Sequence, residues 1–152
     1  MFLTSESFWY EHMGNIINFS NLCETSCASA FMLPLIFVKR FSPNAHIVSV
    51  GIPMAQMLIE MKANRRAQFM ERCLLKILQT SPEHCLIRDF DLMFNPFYQI
   101  DVLKIMISAC KIRPFSILWP GIYRSGKLIY ANEGDLDYCV FNVQNYDITC
   151  VI

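Results

Sequence analysis

Gly121-Ile122-Tyr123-Arg124-Ser125-Gly126-Lys127-Leu128 has the G-x-x-x-x-G-K spacing of a phosphate-binding loop, in which close backbone amides and a lysine receive a triphosphate. The match is incomplete, because Leu128 stands where magnesium needs a hydroxyl. The stretch from Lys127 to Tyr130 also alternates like a strand, whereas a working loop opens onto a helix whose N-terminal N–H groups face the phosphates. The pattern therefore points to a hairpin turn. Asp89 and Asp91 follow the apolar run Cys85-Leu86-Ile87, the place where a P-loop enzyme keeps its magnesium-binding acid. Arg88 stands directly at the end of that run, so a salt-bridged turn is an equal reading. His12, His46 and His84 are too dispersed to build a ligand set or a triad. The seven cysteines form no C-x-x-C, and several sit in apolar contexts such as Cys85-Leu86-Ile87 and Cys150-Val151-Ile152, where cysteine serves as a small core hydrophobe. Reduced thiols and a cytoplasmic location are the expectation, with no metal site.

The elements that would position these residues alternate in type. A strand is expected over 15–19, then a polar loop over 20–26 and an apolar helix to about Arg40, kinked at Pro34. Residues 45–50 read as a strand. Pro53 suits the first turn of a helix to about Lys62, and Asn64 is a candidate N-cap for a helix over 65–79, where Ala67, Met70, Leu74 and Ile77 recur at helical spacing. A short strand at 85–87, a helix over 99–109 and a strand at 114–119 come next. Short strands at 127–130, 140–143 and 146–152 complete the chain, joined by Gly and Asx turns. This order predicts a single α/β domain over 1–152: a parallel sheet with flanking crossover helices, and a β-rich C-terminal segment formed as a hairpin.

Composition limits the function. The chain is 152 residues long, 54% hydrophobic, 13% aromatic and 17% charged, enough for one buried core and unlike a disordered linker. Thirteen Lys and Arg balance thirteen Asp and Glu, so no whole-protein basic field exists for non-specific nucleic-acid binding. The charge is nevertheless segregated: every basic residue lies between Lys39 and Lys127, a stretch with a local balance of +7, and the flanks carry −3 and −4. That segregation means either pairing within one folded surface or an anionic partner on the basic middle. Arg65, Arg66, Arg72 and Lys76 fall on one expected helix, where spacings of seven and four bring Arg65, Arg72 and Lys76 towards a common face for another subunit or copy. Nine Met and twelve Phe in so short a chain predict exposed apolar area that meets a partner. The longest apolar run, 28–38, is too short for a membrane span.

Residues 84–152 carry a more specific signal. Leu86-Ile87-Arg88-Asp89-Phe90-Asp91-Leu92-Met93-Phe94-Asn95-Pro96, then Asp101-Val102-Leu103-Lys104, Trp119-Pro120-Gly121, Tyr130-Ala131-Asn132-Glu133-Gly134 and Asp137-Tyr138 succeed one another in an order and spacing that resembles the C-terminal half of the small P-loop protein of type 3 BREX (bacteriophage exclusion) antiphage defence systems. The resemblance extends back to about Ile47 through strand, helix and Arg65-Arg66, and over 1–46 only through the order of elements. It implies a P-loop NTPase-like fold. It also implies that the loop after the N-terminal strand should read G-x-x-x-x-G-K-[ST], and that the strand before the Phe-x-Pro turn should end in Asp-Asn-x-Glu.

Both motifs are degenerate here. The loop positions, which include Ser20, Asn21, Thr25, Ser26, Cys27 and Ser29, contain no glycine, and no Lys or Arg precedes residue 39. In the acidic motif Arg88 falls at the metal-associated Asp, Asp89 at the Asn and Asp91 at the Glu. A triphosphate would meet bulky side chains and Glu24 in place of amides and a cation. The sequence thus predicts loss of ATP and magnesium binding and no catalytic residue. It points to a pseudoenzyme that binds other protein subunits of a defence system, with self-association as a further option and no membrane contact. The alternatives are a weak nucleotide-binding or hydrolysing enzyme with a rearranged site, and DNA binding through the basic middle.

Overall fold

The computed structural model describes residues 16–21 and 34–152, and nine strands and three α-helices lie among them. In chain order they are β1 (Ile16–Ile17), β2 (Leu35–Phe37), β3 (Ile47–Ser49), α1 (Gly51–Ile59), α2 (Arg66–Gln79), β4 (Leu86–Arg88), α3 (Val102–Ile112), β5 (Ser116–Leu118), β6 (Ile122–Arg124), β7 (Lys127–Tyr130), β8 (Cys139–Asn142) and β9 (Thr149–Val151). Six strands form one parallel sheet in the order β1-β9-β2-β5-β4-β3, and β6, β7 and β8 form a separate antiparallel sheet. The α/β class and the β-rich C-terminal segment agree with the sequence-based expectation.

Two parts of that expectation are corrected. Residues 35–37 are a central strand and not the end of a kinked helix, and all three are buried. A parallel strand covered on both faces shows no alternation, so Leu-Ile-Phe carries the same pattern as a buried helix; Pro34 sits just before the strand, where no ladder hydrogen bond is lost. Residues 149–151 are likewise no part of a terminal hairpin. They enter the parallel sheet between β1 and β2, with Cys150 opposite both Ile16 and Ile36.

The helices close one face of the sheet. In α2, Met70, Cys73, Leu74, Ile77 and Leu78 form its buried stripe, and in α3 Val102, Leu103, Met106, Ala109 and Cys110 do the same. Both pack, with Met54 and Leu58 of α1, on Ile36, Ile87 and Ile117. Asp101 caps α3 by accepting the Lys104 N–H at 3.2 Å. Asn64 does not cap α2: residues 63–65 form a 3-10 turn, and Arg65 precedes the helix without a side-chain cap. At the other end of α2, Arg113 donates to the Ser81 carbonyl at 2.9 Å and so ties the turn after α2 to the exit of α3.

Residues 38–46 join β2 to β3 across the opposite face. Phe41 and Ala45 pack there on Leu35, Phe37, Leu86 and Val151. This connection passes two intervening strands, about 14 Å of sheet, and then starts a strand parallel to the one it left. The segment covers that path with bends at 38–39 and a turn at 43–44, where the Ala45 N–H donates to the Ser42 carbonyl at 3.1 Å, and holds no helix after β2.

The antiparallel sheet is fastened to the parallel one by Trp119. Its indole N–H donates to the Ile129 carbonyl at 3.1 Å, and its ring meets Phe94 and Phe141 edge-on. Pro120 and Gly121 then start the β6–β7 hairpin, whose two-residue turn, Ser125-Gly126, has positive φ at both positions. The G-x-x-x-x-G-K stretch is this hairpin, with no helix after Gly126. A Cβ at position 121 would collide with the Ile129 carbonyl oxygen. Gly121→Ala is therefore expected to destabilise the protein by about 1–3 kcal/mol, as overpacking does, and to lower the thermal midpoint by roughly 2–10 °C. Gly126→Ala strains only the turn, and a calorimetric melt of the two variants should rank them in that order.

Candidate functional site

In open parallel α/β sheets ligands bind beyond the carboxyl ends of the strands, where connections leave in opposite directions. Here that place lies between β2, which feeds the β3 edge, and β5, whose chain returns past β2 to β9. The carboxyl ends of all six parallel strands lie along this edge.

β4 ends in Arg88 and passes into Asp89. Ser49, the last residue of β3, is in register with Arg88 and donates its hydroxyl to Asp89 Oδ2 at 2.6 Å, and Arg88 Nε lies 3.3 Å from the same oxygen. Both partners of this ion pair are half exposed, so it orders the loop more than it stabilises the fold. Asp89 holds a left-handed backbone, φ 62°, which is costly for a residue with a Cβ and which Asp tolerates better than most. Its backbone oxygen comes within 2.7 Å of where a Cβ on Gly51 would stand, and Val50, just before α1, donates its N–H to the Arg88 carbonyl at 3.0 Å. Asp89 is thus seated by its backbone at the first turn of α1, while Ser49 and Arg88 hold its carboxylate.

Asp91 opens a 3-10 turn over residues 91–94 and accepts the Tyr130 hydroxyl at 3.0 Å. The Tyr130 ring stacks on Phe94 with centroids 3.8 Å apart. Burial, and then the hydrogen bond and charge of Asp91, push the Tyr130 phenol up to about 12. Tyr146 makes the matching contact 2.6 Å from Asp101 and is raised in the same sense, again chiefly by burial. The expected acidic positions Arg88, Asp89 and Asp91 are therefore brought together, each with a partner from its own chain. Among the described residues no group of three or more His, Cys, Asp or Glu gathers in a metal-binding arrangement.

At the other side of the switch point a cavity of about 290 Å³ is lined by Asn18, Phe19, Ser20, Lys39, Arg40 and Ile152. Of the expected loop positions, Ser20 and Asn21 lie here in the 3-10 turn after β1, while Thr25, Ser26, Cys27 and Ser29 lie outside the described residues. In the sequence, residues 20–29 take the place of the loop because they come after the first strand. Of β1 and β2, however, β1 is an edge strand and β2 has neighbours on both sides, and Val38-Lys39-Arg40 comes directly after β2.

The third group is the helix α2. Arg65, Arg72 and Lys76 share a face as their spacing predicts, and with Met61, Lys62 and Phe69 they line a groove of about 330 Å³. The Arg72 guanidinium lies 5.1 Å from the Phe69 ring centroid. Arg66 does not join them: it is half buried and turns back to donate to the Met61 carbonyl at 3.3 Å. Sequence reasoning missed Ser49 and Tyr130, the two hydroxyls that hold Asp89 and Asp91. Each ends a strand, but neither stands near those carboxylates in sequence. No family model, no curated protein and no solved structure matches the chain.

The tyrosine contacts set a pH dependence. Between the ordinary tyrosine value of 10.0 and about 12, the unfolded chain has lost the Tyr130 proton and the folded chain still holds it, so stability falls as pH rises through this window. Denaturant melts at pH 9 to 12 should show that decline, and Tyr130→Phe should make it shallower while leaving the melt at pH 7 within about 1 kcal/mol of wild type.

Proposed function

We propose that this chain is a non-catalytic, protein-binding subunit of a bacterial antiphage defence assembly, similar in fold to the small P-loop protein of the BREX systems but without its nucleotide chemistry. The observation that carries the reading is the exit of β2. A phosphate loop needs a helix after its strand, whose first N–H groups receive the phosphates, and here residues 38–46 reach β3 through bends and a turn, with no helix between the two strands. The backbone of Asp89 packs against the start of α1 at the same edge. Magnesium would meet Arg88 at the end of β4, and the two nearby carboxylates are engaged by Ser49, Arg88 and Tyr130. These residues do not fit a magnesium-bound triphosphate.

A chain freed from that chemistry keeps its surfaces for partners. The groove along α2 offers four cations over an apolar floor, and none of the four pairs with an acid among the described residues. The partners on this reading are other proteins of the defence system, recognised by their acidic surfaces.

One observation favours the rearranged-site alternative: Lys39 and Arg40 stand beside Ser20 at the carboxyl edge. The two readings separate in titration calorimetry with ATP and magnesium. No binding at protein concentrations up to about 100 μM, together with a stable complex with at least one protein encoded by a neighbouring gene, is the expected result. Binding at low micromolar Kd that is lost in Lys39→Ala/Arg40→Ala would establish the alternative.

A further inference from the structure

The groove beside α2 has a counterpart elsewhere on the same molecule. Its cations come from three places, Arg72 and Lys76 from α2, Arg65 from the 3-10 turn before it and Lys62 from just ahead of that turn, and they line one groove with the side chains of Met61 and Phe69. The counterpart is the turn over residues 132–138, which carries Glu133, Asp135 and Asp137 around Leu136. Leu136 is 92% exposed, the most exposed large hydrophobic side chain among the described residues. The turn is held in shape. Asn132 donates its N–H to Asp135 Oδ2 at 2.9 Å, and Asp135 N–H returns to the Asn132 carbonyl at 3.0 Å. Tyr138 N–H bonds to the Asp135 carbonyl at 3.2 Å, and Gly134 supplies a φ of 100°. An ordered turn presents its leucine without an ordering cost at the moment of contact.

The sequence leaves open whether the acidic flank neutralises the basic middle within one molecule. Among the described residues it does not: the ion pairs there are Arg88 with Asp89 and Arg113 with Glu83, so neither the cations of the groove nor the acids of this turn pair with a described residue. A surface with four cations over an apolar floor and a surface with three carboxylates around one apolar tip are complementary in both charge and character. We propose that the turn over residues 132–138 of one copy docks in the α2 groove of another, with Leu136 on the Met61 and Phe69 floor and the carboxylates on the surrounding cations. The two surfaces differ, so the contact is heterologous, and each copy keeps a free groove or a free turn. The groove takes only a short turn, which puts the buried area below that of a standard protein interface, so the association is weak and salt-sensitive. A nucleic-acid strand is the less fitting occupant, because thirteen basic residues are balanced by thirteen acidic ones and no whole-protein field draws a polyanion in.

This inference rests on reading the chain as an interaction subunit, yet its test is independent of nucleotide binding and of any other protein. Sedimentation of the full chain at about 10 to 500 μM in roughly 20 mM salt should show a mass that rises with concentration, returning to the monomer near 0.5 M salt as the Debye length shrinks. Leu136→Ser should weaken association at least about tenfold, the worth of one buried leucine, and Arg72→Glu should do the same. Both sites are at the surface, and far-UV circular dichroism verifies that each variant is folded. The decisive arm mixes the two variants. Leu136→Ser keeps an intact groove and Arg72→Glu an intact turn, so an equimolar mixture should form a heterodimer and stop there, whereas each alone stays monomeric. A wild-type monomer across the whole range, unchanged association in Leu136→Ser, or a mixture that remains monomeric would each overturn the proposal. So would a short single-stranded oligonucleotide that binds the monomer and loses its affinity in Arg72→Glu, since the groove would then be a nucleic-acid site. None of these results touches the loss of nucleotide binding, which calorimetry decides separately.

Discussion

One row of side chains in register crosses the parallel sheet from edge to edge: Ile16, Cys150, Ile36, Ile117, Ile87 and Val48. The four central members are completely buried, and all three helices are laid on them. Keeping this row from water dictates the rest. Each crossover that carries a helix, β3 to β4 and β4 to β5, moves one strand in the same direction, which stacks α1, α2 and α3 on the same face. The return path from β2 to β3 moves the opposite way on the opposite face, so the crossovers keep one hand. Cys150 is the smallest member of the row, and burial pushes its thiol up to about 12, so it enters the core uncharged.

The same row explains how much of the fold is legible in the sequence. Strands bounded by turn residues are visible: 47–49, 86–88, 116–118 and 127–130 lie within or beside the segments that β-branched runs and Gly or Pro punctuation mark out. The helix α2 is visible through its period. Leu35 to Phe37 is not, because both of its faces are dry and a dry strand has no polar side to alternate with. The placement of β9 is hidden for a different reason: nothing local in Thr149-Cys150-Val151 tells a hairpin strand from one that pairs with residues more than a hundred positions away. Asp101 goes unrecognised as a cap because the expected helix begins two residues before it.

At the candidate site the sequence supplies residue types but not their partners. Arg88, Asp89 and Asp91 are located by their position after an apolar strand, and the structure keeps them together. Their engagement by Ser49 and Tyr130 depends on the β3–β4 register and on how the antiparallel sheet folds back over Phe94, two long-range facts with no local trace. Charge segregation is legible in full. Its meaning is not, since sequence cannot tell an internal pairing from two surfaces left open on different parts of a fold.

The insertion of β9 between β1 and β2 has a consequence for how the chain is made. The first two strands among the described residues, β1 and β2, are not neighbours in the finished sheet; each acquires its common partner only when residues 149–151 have been synthesised. Until then β2 has β5 on one side and a bare edge on the other, and β1 has no place in the main sheet. Polypeptides cut short anywhere after β5 therefore keep the helix-bearing half of the sheet while exposing an open, apolar strand edge, the kind of surface that chaperones and proteases recognise.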